Sequence, residues 1–66
     1  MKIILNGEER EFPGEITLEE LLRELALARD SVAIEVNGAL VPRARFAAQR
    51  VQPGDRLEIV TFVGGG

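Results

Sequence analysis

The chain contains neither cysteine nor histidine in its 66 residues. Without cysteine there is no disulfide staple, no Fe–S cluster and no thiol nucleophile. Without histidine the commonest general base and metal ligand is missing too, so a zinc site or a Cys/His catalytic pair cannot be assembled. Long apolar runs are also absent. The short apolar stretch after Lys2 falls well below the roughly 7–15 residues of a signal-peptide core, and no segment approaches the ~18 needed to span a bilayer. Small secreted domains are usually rich in disulfides, so a chain with no staple is expected in the reducing cytoplasm. Basic residues are outnumbered, eight against eleven acidic ones, for a net charge of −3. That balance repels phosphates over most of the surface, so neither nucleic acid nor a membrane is expected as a partner.

What remains is enough for one small domain. A chain of this size buries only about 60% of the surface it exposes when unfolded, so every element must share a single core. Lys2-Ile3-Ile4-Leu5 is β-branched and meets Asn6-Gly7, the dipeptide suited to a type I′ turn, so it reads as the first arm of a hairpin. Glu8 to Phe12 forms the return arm, mostly polar, anchored by Phe12 and stopped by Pro13-Gly14, which suits an edge strand. Thr17 and Glu20 stand in capping-box spacing, with Ile16 and Leu21 placed as a hydrophobic staple. Leu18, Leu21, Leu22 and Leu25 then form an apolar stripe that predicts a helix running to about residue 28.

Val32, Ala33, Ile34, Glu35 and Val36 alternate with period 2, and a second Asn-Gly, at Asn37-Gly38, turns the chain into the short strand Ala39-Leu40-Val41 ended by Pro42. Arg43 to Arg50 lacks clean periodicity and reads as a loop with one helical turn at most, anchored by Phe46 and Val51. Pro53-Gly54-Asp55 signals a turn, and Arg56 to Val63 is the last and longest strand. Strand, strand, helix, strand, strand, strand is an α+β two-layer pattern, with the last strand most compactly placed beside the first.

Side-chain chemistry has little to work with. The carboxylates of Glu8, Glu9, Glu11, Glu19, Glu20 and Glu24 fall on solvent-facing or edge positions, where a solvated face accounts for them. The hydroxyls are Thr17, Ser31 and Thr61, with no histidine to activate them, so an autonomous hydrolase or transferase is not expected. Arg43, Arg45 and Arg50 form a small basic cluster that is either a solvated loop or a docking patch for an acidic partner.

The terminal Gly64-Gly65-Gly66 cannot extend an apolar strand with any packing gain and is expected as a flexible tail, residues 64–66, after a folded domain of residues 1–63. Three residues reach about 10 Å when extended, and without Cβ atoms they can thread a tunnel that other residues would block. What they deliver is the α-carboxylate of Gly66, ionised at neutral pH and a poor electrophile until converted to a mixed anhydride such as an acyl adenylate. A terminal triglycine also has a plainer reading, as a frayed end or an expression scar.

The element order, the start at Met1 with Asn6-Gly7, the stretch Val36-Asn37-Gly38-Ala39-Leu40-Val41-Pro42-Arg43, Pro53-Gly54-Asp55 and the ending Phe62-Val63-Gly64-Gly65-Gly66 together resemble the ThiS family of sulfur carriers in thiamine biosynthesis. The resemblance covers essentially the whole chain. It implies a ubiquitin-like β-grasp, with a mixed five-stranded sheet packed on one helix and no catalytic residue, metal or bound cofactor of its own. Such a carrier is the co-substrate of larger enzymes. An ATP-dependent E1-like adenylyltransferase (ThiF type) adenylates Gly66, a cysteine-desulfurase relay supplies sulfur, and the thiocarboxylate serves a thiazole synthase (ThiG type). The usual family tail is two glycines after a variable residue, so Gly64 is an extra glycine here. The Asn-x-x-x-Val-Pro-Arg stretch and the length favour ThiS over the related small subunit of molybdopterin synthase. A ubiquitin-like modifier conjugated to lysines through Gly66 and a plain interaction module are the other readings. For docking, Leu57 and Ile59 facing the core would turn Val60 and Phe62 outward, with Ile4 of the first strand joining them; the alternative packs Val60 and Phe62 on the loop around Phe46.

Overall fold

Asn6 and Gly7 both adopt positive φ, 50° and 83°, the type I′ geometry whose twist matches that of paired strands. Strand β1 (Lys2–Leu5) therefore folds back on β2 (Glu8–Glu11) with Leu5 opposite Glu8. Asn37 and Gly38 repeat the device at 52° and 86°, joining β3 (Val32–Val36) to β4 (Ala39–Val41). Between the hairpins runs helix α1 (Leu18–Glu24), and the last strand is β5 (Arg56–Thr61). The computed structural model describes residues 1–62. The expected tail, residues 64–66, and the domain boundary at residue 63 lie outside the described residues.

The five strands form one mixed sheet in the order β2-β1-β5-β3-β4. Strand β5 lies in the middle, parallel to β1 and antiparallel to β3, and β2 is at an edge with every residue exposed. One face of the sheet supplies Ile3, Leu5, Val32, Ile34, Leu57 and Ile59 to a single core shared with Leu18, Leu21 and Leu22 of α1 and with Phe46 and Val51 of the long loop. Among the described residues no polar side chain is buried without a partner.

The parallel pair is short. Register runs only through Ile4 opposite Arg56 and Leu5 opposite Leu57 before β1 turns away, which would leave backbone groups of Ile59 unpaired in the middle of the sheet. The Asn6 side chain fills that gap. Its Oδ1 accepts from the Ile59 N–H at 2.8 Å and its Nδ2 donates to the Ile59 carbonyl at 3.2 Å, so one amide stands in for a peptide of the missing strand. At the start of β5, Asn37 acts similarly, its Oδ1 accepting from the Arg56 N–H at 2.9 Å and its Nδ2 donating to Asp55 at 3.0 Å. Each Asn-Gly turn thus also holds the central strand.

Helix α1 begins where the capping box places it. The Glu20 N–H donates to Thr17 Oγ1 and the Thr17 N–H donates to Glu20 Oε1. The next two free amides are capped by the loop: Leu18 N–H donates to Gln49 O at 2.9 Å and Glu19 N–H to Phe46 O at 3.0 Å. All four orphan donors of the helix N-terminus are thereby satisfied. The aperiodic stretch from Arg43 to Arg50, which contains the 3-10 turn Arg43–Arg45, is shaped by this task as much as by its anchor Phe46.

The helix stops four residues short of the expected end at residue 28. Ala26 takes φ 57°, its N–H bonds Arg23 O and the Leu27 N–H bonds Leu22 O, which is a Schellman closure with alanine at the position that usually holds glycine. Leu27 folds back onto the core instead of continuing the helical stripe. The driving force is burial of Leu27, because an alanine in the left-handed region is disfavoured by about 1–2 kcal/mol. Strand β5 likewise ends at Thr61, earlier than the expected Val63, which lies outside the described residues.

Two outcomes follow for stability. Ala26→Gly relieves the steric cost and loses about 0.4–1 kcal/mol through a floppier unfolded chain, for a net gain of about 0.5–1 kcal/mol, seen as a melting temperature several degrees higher. Asn6→Gly keeps the turn conformation but deletes the side-chain bridge to Ile59. It should lower stability by about 2 kcal/mol, read as a lower urea midpoint at unchanged m-value; an unchanged midpoint would show that Ile59 finds other partners.

Candidate functional site

The carboxylates expected to be solvated are placed on the surface, and one of them has a structural task. The hydrogen bond from the Thr17 backbone holds the Glu20 carboxyl below its ordinary 4.5, so this group stays ionised as part of the helix cap. Among the described residues no group of three or more acidic side chains gathers in metal-binding geometry.

The three arginines of the basic cluster differ in their contacts. Arg50 pairs with Glu15 at 2.7 Å, while Arg45 stays exposed on its 3-10 turn. Arg43 turns to the backbone, its Nε donating to Arg29 O at 3.0 Å and its Nη2 to Val32 O at 3.3 Å. Two of the three arginines, Arg43 and Arg50, are thus engaged within the chain.

The apolar feature of the surface is the outer face of the sheet near the end of β5. Alternation from buried Leu57 and Ile59 turns Val60 outward, 57% exposed, and Phe62 follows at 49%. Val60 stands opposite Ala33, whose small side chain leaves the face low at that point. Leu40, 68% exposed, is the third large apolar side chain exposed among the described residues. It was legible in principle, since the Asn37-Gly38 turn fixes Leu40 opposite the outward-facing Glu35. A cleft of about 210 Å³ runs beside these residues, lined in part by Ala33, Leu40, Pro42, Arg43, Phe46 and Phe62. Phe62 thus combines both expected arrangements: it is half exposed and also borders the loop around Phe46.

Ile4 does not join this group. The parallel register sets it opposite Arg56, four residues before Val60, or about 13 Å at ~3.3 Å per residue. Arg56 and Glu58 occupy the same face of β5 in between. Ile4 is half-buried and borders a separate hollow with Gly7, Gly38 and Arg56. Gly64, Gly65 and Gly66, the expected tail and reactive terminus, lie outside the described residues.

Comparison with known proteins places this geometry in a family. The model of the ThiS family matches residues 3–66. The sulfur carrier protein ThiS of Escherichia coli (strain K12) is 30% identical over 66 residues, covering all of both chains. The thiazole synthase of Paramagnetospirillum magneticum is 48% identical over the same 66 residues, which are all of this chain but 20% of that protein, and the thiazole synthase of Magnetococcus marinus is similar at 46%. The chain therefore spans about a fifth of the length of the thiazole synthases it matches. The crystal structure of the thiamine biosynthesis protein (ThiS) from Geobacter metallireducens superposes with a TM-score of 0.85 at 35% identity over the full length of both chains. By its end-to-end sequence match and by its ubiquitin-like β-grasp, with five mixed strands on one helix, the chain belongs to the ThiS family.

Proposed function

We propose that this chain is a sulfur carrier of thiamine biosynthesis, and that the carried group is a thiocarboxylate formed at Gly66. The observation that carries this reading is the match along all of both chains to a sulfur carrier protein, which includes the glycine ending. The chemistry fits the residues available. The α-carboxylate of Gly66 is too weak an electrophile to accept sulfur directly, and no side chain of this protein could activate it.

An ATP-dependent adenylyltransferase of the ThiF type supplies the activation, the carboxylate attacking the α-phosphorus with loss of pyrophosphate. The terminal sulfur of a persulfide from a cysteine-desulfurase relay then displaces AMP to give an acyl disulfide. A thiol of the partner machinery attacks that disulfide, forming a disulfide itself and releasing a thiocarboxylate that is a soft, ionised nucleophile at neutral pH. Thiazole synthase of the ThiG type is the acceptor, a role supported by the thiazole synthases that contain a segment resembling this chain. ATP belongs to the adenylating partner, and the carrier itself holds no cofactor. No helix among the described residues is long and apolar enough to cross a membrane, and a fold without disulfides suits the cytoplasm.

The exposed side chains Val60, Phe62 and Leu40 are assigned to docking the adenylating enzyme, because they adjoin the strand that leads to Gly66 and so bring tail and active site together in one encounter. Ile4 lies about 13 Å along the sheet from Val60, at ~3.3 Å per residue, outside this apolar group.

Incubated with ATP, the cognate adenylating enzyme and a sulfur source, the chain should gain the mass of one sulfur in place of one oxygen, localised to Gly66 by fragmentation. Absence of that gain while the partner still exchanges pyrophosphate into ATP would overturn the reading. Isopeptide-linked adducts without thiocarboxylate would identify a protein modifier instead.

A further inference from the structure

Phe62, just after β5, is held by the backbone of the turn that precedes β3. The Phe62 N–H donates to the Ser31 carbonyl at 2.8 Å, one step beyond the final register pair of β5 with β3. Ser31 is the last residue of the 3-10 turn Arg29–Ser31, a three-residue segment with no side-chain cap to stabilise it. Arg43 grips that segment from both sides. Its guanidinium donates to Arg29 O at 3.0 Å and to Val32 O at 3.3 Å, carbonyls that bracket Ser31 in sequence. The same guanidinium lies 6.0 Å from the centroid of the Phe62 ring, at the limit of a cation–π contact. Among the described residues no carboxylate lies within salt-bridge distance of Arg43, so its three contacts are two carbonyls and one aromatic face.

One side chain therefore fixes both the backbone acceptor and the ring of Phe62, four residues before Gly66. The carboxylate can lie no farther than about 14 Å from Phe62 at ~3.3–3.6 Å per residue. Where the chain leaves the sheet thus bounds how far from the sheet the carboxylate can lie. The geometry points to Arg43 as a positioning residue for sulfur loading: it orients the base of the tail and touches neither substrate nor reacting atom. This inference rests on the sulfur-carrier reading for its reaction and on the described contacts for its mechanism. Arginine suits this place because its rigid fork spans two carbonyls while presenting its charge toward the ring, which a lysine ammonium cannot do at once.

The test uses Arg43→Ala and Arg43→Lys in the full chain with two readouts. Hydrogen exchange of the Phe62 amide, followed by NMR in the free protein, should accelerate about tenfold or more in both variants as the Ser31 acceptor loosens. In ATP-dependent loading by the adenylating enzyme, kcat should fall about tenfold or more, and any rise in KM for the carrier from a loosened Phe62 ring should be smaller than that fall. Arg43→Lys should behave like Arg43→Ala. Full rescue by lysine, or a rise in KM with kcat unchanged, would make Arg43 a charge contact for the partner and overturn the proposal; so would Phe62 exchange equal to that of the unaltered chain. Arg43 is exposed, so the core is untouched, and if the alanine variant melts early the lysine variant carries both readouts. Failure of the unaltered chain to load sulfur refutes the carrier reading, and the exchange readout then still decides the role of Arg43.

Discussion

Strand β5 must satisfy hydrogen bonds along both of its edges, because it lies in the middle of the sheet with β1 on one side and β3 on the other. Antiparallel pairing with β3 runs through five residues, from Val36 opposite Leu57 to Val32 opposite Thr61. Pairing with β1 is far shorter, because β1 must turn at Asn6-Gly7 to make its own hairpin. The Asn6 amide reconciles the two demands by completing the ladder at Ile59. Much of the architecture depends on that bridge. It keeps Leu57 and Ile59 directed into the core, and by alternation it keeps Val60 on the outer face. The central place of β5 also brings its end beside the Arg29–Ser31 turn and not to a free edge.

A second dependence links the helix to the long loop. Phe46 is completely buried in the core while its carbonyl caps Glu19, and the Gln49 carbonyl caps Leu18. A seven-residue helix is too short to be stable alone, so α1 exists because its stripe is buried and its amides are met by a segment that has no regular structure itself. The loop in turn is held by Phe46 and Val51 and by the backbone bond from Val51 to Ile16. Neither element has a stable form without the other.

Much of this was readable from the residues. Asn-Gly at two places set both hairpins and their registers, Thr17 and Glu20 set the start of the helix, and period 2 around Ile34 set the buried face of β3. The end of the helix was hidden because alanine at position 26 carries no sign of a left-handed residue, where glycine would have announced it. The separation of Ile4 from Val60 was hidden for another reason: facing can be read from alternation, but the stagger of a parallel pair joined through the whole chain is set by tertiary packing. Arg43 looked like one charge among three in a loop. Its role lies in two carbonyl acceptors, which have no signature in the sequence.

A domain without cysteine or histidine cannot perform redox or acid/base chemistry with those side chains, and in the carrier reading it has no need to. In that reading the fold would supply a surface by which a larger enzyme recognises it, and the glycine ending would supply a group small enough to enter that enzyme's active site. Recognition and cargo are then separable parts of one chain. Calorimetric titration of the adenylating enzyme tests that separation most directly, comparing a chain that lacks Gly64, Gly65 and Gly66 with the substitution Val60→Glu. The account predicts that the shortened chain binds within a few-fold of the complete one and accepts no sulfur, whereas Val60→Glu weakens binding about tenfold, as expected for a charge placed in an apolar contact. Loss of binding on removal of the glycines, with Val60→Glu unaffected, would contradict it by placing recognition in the tail.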